Sequence, residues 1–354
     1  MKKLFALILA LLMVFSMVAC AAKEETAKAD APAADAPAAD APAADAPAAD
    51  APAADAPADD ATAEEDSVYG GVYGVVMPDV TSSPFYNACL DGIIEGIEEM
   101  DPDASYVLGD CAWDPAVQMD QMNDMVTQGV KAFVMIPAGS SAVLEGIEAA
   151  SKDGIPVCVL DTATTDRTYV ASTIVSNNLN AGEISGTAMV DALPDGGKVV
   201  IICTTGNEVI NARLEGFYSK IEGHNIEVVQ ELVITDGTTE EAVTLMENAL
   251  QSIPDLAGVY TTGDTFAIGI AAALEANGYA PGDVVICSTD GTSKGCELVE
   301  QGWVFSTAGQ QAKKLGYDSV AAALKVLAGE EVPEYIELDC IDVRKENLDA
   351  YTPF

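Results

Sequence analysis

The chain has 354 residues, with 16 Lys or Arg against 57 Asp or Glu and a formal net charge of −41 at pH 7. Twelve of those basic and 44 of those acidic residues fall in 67–354, so this stretch of 288 residues carries −32. Such a surface repels nucleic-acid phosphates and anionic lipid and excludes both as its partners, while the length suffices for two domains of ordinary size.

In chain order, Lys2 and Lys3 precede a run of apolar or small residues over 4–18, too short for a comfortable membrane span and of the size of an export-signal core. The run closes on Met17-Val18-Ala19-Cys20, which resembles the bacterial lipoprotein signal, although Met17 stands where that signal usually has leucine. The resemblance implies removal of 1–19 and lipidation of Cys20; a soluble secreted protein cut after Ala19 or Ala21 is the alternative. Residues 20–66 then read as a tether. Asp-Ala-Pro-Ala-Ala recurs in register over about 30–57 without any aromatic or branched apolar side chain. A proline every fifth residue forbids a continuous helix, and the aspartates repel one another, so a disordered, partly extended linker is expected. It would span about 40 Å as a coil and roughly 140 Å in polyproline geometry. The expected location is the outer face of the cytoplasmic membrane, held by a lipid.

From residue 67 short β-rich runs alternate with amphipathic helical stretches. Strands are predicted over 72–77, 105–109, 131–136, 156–160 and 169–174, then over 198–203, 226–234, 258–262, 283–287 and 304–307. Helices are predicted over 85–100, 116–128, 142–152, 181–193, 208–222, 239–252, 266–277, 294–301 and 311–327. Alternation of this kind gives parallel sheets covered by helices on both faces. The rhythm breaks between 162 and 180, which argues for an α/β architecture of two doubly wound parallel-sheet domains with a hinge near Ser176-Asn177-Asn178. Ligands of open α/β sheets bind beyond the carboxyl ends of the strands, so two facing sheets would share one cleft.

Seven cysteines follow Cys20, and none forms a Cys-x-x-Cys pair. Cys158, Cys203 and Cys287 sit in strand-like apolar runs and are predicted as core residues. Cys89, Cys111, Cys296 and Cys340 are scattered. The single histidine, His224, lies between a helix and a strand and reads as a turn residue, so neither a zinc site nor a histidine-based triad can be assembled.

The strand ends carry the candidate site. Strand one leads through Pro78-Asp79-Val80-Thr81-Ser82 into Ser83-Pro84-Phe85-Tyr86, where proline takes its favoured first-turn position and two adjacent aromatics open the helix. At least one of those rings must point away from the core. Strand four ends at Asp161, and a strand of the second series ends at Asp290-Gly291, one carboxylate from each proposed domain. Arg213 lies on the first helix of the second domain. Asp264 is expected as the N-cap of the helix that follows it, and Trp113, in the loop after strand two, as core or edge packing, with a place at the cleft rim as the alternative. Carboxylates, a guanidinium and amides bind the vicinal hydroxyls of a sugar, and an aromatic ring covers its C–H face.

On these residues the chain resembles the sugar-binding lipoproteins of ABC importers, in particular the ribose-binding branch with its type I periplasmic-binding fold. The likeness runs over about 72–338 and rests on Ser83-Pro84-Phe85-Tyr86, Ile155-Pro156-Val157 with Leu160-Asp161, Arg213-x-x-Gly216-Phe217, Gly263-Asp264, Asp290-Gly291-Thr292 and Gln310. It implies that Ser83, Phe85, Tyr86, Asp161, Arg213, Asp290 and Gln310 contact the ligand, the two aromatics sandwiching the sugar. It also implies lobes of 67–176 plus 311–339 and 177–310 plus 340–354, closure about a hinge, no cofactor, a monomer, and delivery to a membrane permease. Ser83, Ile136 and Gly263 stand where ribose binders have asparagine, and Thr162 where they have arginine, which favours another sugar or polyol, or a nucleoside, over ribose. Arg167, in the insertion 162–168, is a candidate to restore the missing guanidinium.

Other functions fare worse. No Gly-x-Gly-x-x-Gly follows the first strand, and no phosphate loop, nucleophile elbow or metal cluster is present, so no enzyme is expected. Asp161 and Asp290 as a glycosidase pair are unnecessary where hydroxyl acceptors are already called for. A DNA-binding regulator is excluded by the export signal and acidic tether, and a sensor for chemotaxis or two-component signalling is the remaining alternative.

Overall fold

The structure is a computed structural model and describes residues 68–354. The expected signal peptide, Cys20 and tether lie outside the described residues. Twelve strands are present: β1 (Gly71–Met77), β2 (Ala104–Asp110), β3 (Ala132–Met135), β4 (Val157–Leu160), β5 (Ser172–Ser176), β6 (Gly197–Cys203), β7 (Ile226–Val233), β8 (Leu256–Thr261), β9 (Val285–Asp290), β10 (Ser306–Gly309), β11 (Tyr335–Leu338) and β12 (Ile341–Val343). They form two six-stranded sheets, in the orders β11-β5-β4-β3-β1-β2 and β12-β10-β9-β8-β6-β7. All pairings are parallel except β10 with β12. Two doubly wound sheets were expected, and two are found. The pair β11 and β12 was not expected. Each is only three or four residues long with alternating partial exposure, too short a run to show a period.

Nine helices cover the faces of the sheets among the described residues: α1 (Pro84–Met100), α2 (Pro115–Thr127), α3 (Leu144–Lys152), α4 (Asn178–Ala192), α5 (Glu208–Ile221), α6 (Thr239–Ser252), α7 (Asp264–Ala276), α8 (Ser293–Gln301) and α9 (Ala312–Leu327). Central strands are buried on both faces, as in Ala-Phe-Val-Met of β3 and Val-Cys-Val-Leu of β4, which is why these segments read as unbroken apolar runs. All seven cysteines among the described residues are buried and unpaired. No helix among these residues is long and apolar enough to cross a membrane.

Each lobe is braced by one helix pair in backbone contact. A Cβ at Gly92 of α1 would lie 1.8 Å from the Lys313 carbonyl oxygen of α9, and a Cβ at Gly182 of α4 would lie 1.9 Å from the Arg213 carbonyl oxygen of α5. Only glycine allows this approach. The second pair also fixes the height of Arg213 above its sheet.

The chain crosses between the sheets three times, after β5, after β10 and between β11 and β12. The crossings are bonded to one another. Asn177 donates its backbone N–H to the Leu338 carbonyl (2.8 Å) and its side-chain amide to Asp339 (2.9 Å), and Gln311 donates to the Asp339 carbonyl (2.8 Å). Three short, cross-bonded crossings form a hinge in which few backbone angles need change.

Gly92→Ala and Gly182→Ala should each destabilise the protein by about 1–3 kcal/mol through overpacking. Urea denaturation checks this, and an unchanged midpoint for both would show that the helix pairs tolerate separation.

Candidate ligand-binding cleft

The carboxyl ends of the two sheets enclose a cavity of about 340 Å³. From the first lobe Ser83, Phe85, Tyr86, Trp113, Asp161 and Thr162 line it; from the second, Asn178, Asn207, Val209 and Arg213, joined by Gln310 at the second crossing. Six of the seven sequence-predicted residues are therefore brought together. The seventh, Asp290, lies directly behind, accepting from the Gln310 side-chain amide at 2.8 Å and from Arg213 Nη1 at 3.5 Å.

Local sequence explains each placement. Ser83 caps α1 by accepting from the Tyr86 N–H (3.3 Å), with Pro84 following it, so Phe85 and Tyr86 fall half-buried in its first turn. Their rings meet edge to face, with centroids 5.6 Å apart and planes at 72°. On the far side of Phe85 lies the Phe354 ring at 5.3 Å. Asp161 (φ +63°) and Asp290 (φ +119°) both end strands in the left-handed region, a strained setting for any residue but glycine and one common at functional sites.

Arg213 is buried, and its guanidinium is held on several sides. Nε donates to Asn178 Oδ1 (2.9 Å), and Nη1 donates to the Thr262 carbonyl (2.7 Å) and Asp290. Behind Asp290, fully buried Asp264 accepts from Ser288 Oγ (2.6 Å), Thr307 Oγ1 (2.8 Å), and the Thr292 N–H and hydroxyl (2.8 and 2.9 Å). The expected N-cap role of Asp264 is thus corrected. Gly263 occupies the cap position without a side-chain bond, and Asp264 instead ties β9, β10 and the start of α8 together. The first-turn carboxylate turns inward because Gly295 leaves room; a Cβ there would lie 2.0 Å from Asp264 Oδ2.

Burial dominates the electrostatics. It pushes Asp161 up to about 6, against the lowering effects of the Thr162 hydroxyl and Arg213. Burial and then the neighbouring Asp290 push Asp264 up to about 6. Asp290 is also raised by burial, with Arg213 and Gln310 opposing. Tyr86 is raised by burial and by Asp161, so it is a neutral phenol at physiological pH.

Two further expectations are corrected. Trp113 takes the alternative place at the cleft rim and is not core or edge packing. Its side chain is 53% exposed, lines the cleft and leans on Tyr86, with centroids 5.7 Å apart and planes at 58°. Two successive residues with positive φ, Ala112 and Trp113, aim it there, and neither residue type announces such a turn. Arg167 does not replace a guanidinium in the cleft, because it stacks over the Tyr335 ring at 5.0 Å. Arg213 is the one cation lining the cleft among the described residues. Sequence reasoning also missed Asn178, Asn207 and Val209. Asn207 carries a recognisable signal as the cap of α5, accepting from the Ile210 N–H at 2.8 Å. Among the described residues no cluster of His, Cys, Asp and Glu is suited to a metal ion.

Residues 73–331 match the family described as periplasmic binding protein domain. The ribose import binding protein RbsB of Salmonella typhimurium is 29% identical over 259 residues, covering 73% of this chain and 86% of that protein. Among solved structures, a periplasmic ribose ABC transporter protein from Conexibacter woesei superposes with a TM-score of 0.74 at 25% identity, covering 80% of this chain and 95% of the other. A solute-binding protein from Bacillus halodurans with bound myo-inositol gives 0.70 at 25% identity, covering 81% and 98%. A match that takes in five strands of each sheet and most of the described residues leads to one assignment: the chain belongs to the periplasmic binding protein domain family.

Proposed function

We propose that this protein is the extracytoplasmic solute-binding component of an ABC importer, which closes its two lobes on a monosaccharide or related polyol and delivers it to a membrane permease. The observation that carries the reading is the convergence of aromatic faces, carboxylates, a guanidinium and amides on one cavity between two hinged lobes. Relatives agree in kind. They include D-apiose import binding proteins and solute-binding proteins solved with D-allose and with myo-inositol. Chemistry in the cleft is unnecessary to this reading. Carboxylate and guanidinium groups serve as fixed hydrogen-bond partners for hydroxyls, each charge-assisted bond contributing about 1.5–3 kcal/mol.

In the same proposal Cys20 is lipidated, residues 20–66 tether the lobes near the permease, and the protein acts as a monomer. The support for the anchor and tether is the sequence pattern, and that for the monomer the family resemblance. Cys20→Ala should abolish incorporation of labelled fatty acid into the protein in its producing cell, and undiminished labelling of that variant would overturn the lipid anchor.

A thermal-shift panel of D-ribose, D-allose, D-apiose, myo-inositol and nucleosides tests the ligand class. A shift with sugars or polyols is expected, whereas a shift confined to nucleosides would replace the sugar reading. Arg213→Ala and Asp290→Ala should each weaken binding of the responding solute by more than tenfold, since either change strands a buried charge. Full affinity in both variants would remove these residues from the site.

The raised carboxyls also predict a pH dependence. A carboxyl whose folded pKa lies near 6 rather than near 3.8 binds more protons folded than unfolded between those values. Its contribution therefore lowers stability as pH rises through that window, and the cost is complete above about 6. Asp161→Asn should raise the melting temperature of the ligand-free protein by about 2–5 °C at pH 7.5, with the difference shrinking toward pH 4. An equal or lower melting temperature at pH 7.5 would show that the Asp161 charge is well solvated.

A further inference from the structure

The charges around the cleft do not balance. Asp161 and Asp290, with Asp264 buried behind Asp290, have a single guanidinium near them, and Arg213 is already engaged by Asp290, the Thr262 carbonyl and Asn178. Asp161 has only the Thr162 hydroxyl, at 3.0 Å, as a side-chain hydrogen-bond partner. Other groups near it bring no positive charge. Tyr86 and Cys89 are held neutral by burial, and the Asp161 carboxylate reinforces this in both. Cations elsewhere are committed: Lys313 to Glu95, Lys314 to Asp318, Lys131 to Asp101, Arg344 to Asp342 and Asp191, and Arg167 to the Tyr335 ring.

Closing the lobes over a neutral polyol would seal the Asp161 carboxylate in a low-dielectric cavity with no cation of its own, only the field of the Arg213 guanidinium that Asp290 already engages, a costly arrangement. A ligand that brings its own ammonium group removes that cost. The group offers three N–H donors to a carboxylate that has spare acceptor capacity. It also meets Tyr86 and Trp113, whose electron-rich faces attract cations. The net charge of −32 on residues 67–354 draws cations toward the protein as a whole.

We propose that the solute is an amine-bearing sugar or polyol, an amino sugar or an amino cyclitol, whose ammonium group pairs with Asp161 beside Tyr86 and Trp113 while its hydroxyls meet Arg213, Asp290 and Gln310. This rests on the solute-receptor reading above and narrows its ligand class.

Isothermal titration of the full chain at pH 7.5 with matched pairs tests it: D-glucosamine against D-glucose, D-galactosamine against D-galactose, and scyllo-inosamine against scyllo-inositol. N-acetyl-D-glucosamine serves as the uncharged amide control. The amine of at least one pair should bind tenfold or more tighter than its neutral counterpart and its N-acetyl form. Thr162→Arg, which places a guanidinium beside Asp161, should abolish or reverse that preference. With Trp303 changed to Phe, quenching or a spectral shift of the remaining Trp113 should accompany binding of the amine. Neutral members that bind as tightly as their amine counterparts in every pair that binds overturn the inference and leave the receptor reading standing. Binding of no member, amine or neutral, by titration and in the thermal-shift panel overturns both.

Discussion

The buried guanidinium of Arg213 is the constraint around which the second lobe and the hinge are arranged. It rises from α5, and its height is set where Gly182 lets the α4 backbone touch the Arg213 carbonyl. From there it bonds the residue just beyond β8, the end of β9 and the start of α4. Through Asp290 it reaches Gln310, the first residue after β10. Four segments distant in sequence are thus held by one group that cannot lose its charge. Displacing it would leave Asp290 without its only ion-pair partner, so the segments move together or not at all.

That arrangement is built for binding rather than for stability. Asp161 and Asp290 both close strands with positive φ, and three carboxyls are raised by burial. Strain and desolvation of this kind survive only where surrounding packing compels them. The compulsion is visible in the bonds that pin Asp264 behind Asp290, and in the central strands buried on both faces. A ligand that supplies hydrogen-bond donors relieves part of the cost, which couples occupancy of the cleft to the preference for the closed arrangement.

Much of this was legible in the sequence because the long elements carry strong local signals. Runs such as Val-Cys-Val-Leu, the Ser83-Pro84 helix start, and an aspartate at the end of each of two strands point to the sheets and to the cleft between them. What escaped was set by tertiary packing. β11 and β12 are too short to show a period and are strands only because β5 and β10 present open edges. Asp264 looked like a cap because an aspartate at a helix start usually is one, and its inward turn depends on Gly295 thirty-one residues away. Trp113 reaches the cleft through two residues of left-handed backbone that no residue type betrays. Arg167 had the right charge in the right insertion, but Tyr335 lies beside it in space and not in sequence.

The interleaving of the lobes has a consequence for how the chain is made. β5 is buried along its whole length, yet one of its two partners is β11, and Ser172 bonds to a carbonyl 161 residues further on. Until nearly all of the chain has been synthesised, the first sheet ends in a strand with an open edge that the finished fold buries, a poor state in which to linger. Contacts of such sequence separation also form slowly, because loop closure precedes any gain. A protein wired in this way cannot finish either lobe early, and it stays loosely folded for as long as its last residues are missing. That delay suits the proposed extracytoplasmic role, in which the chain is threaded through a membrane before it folds.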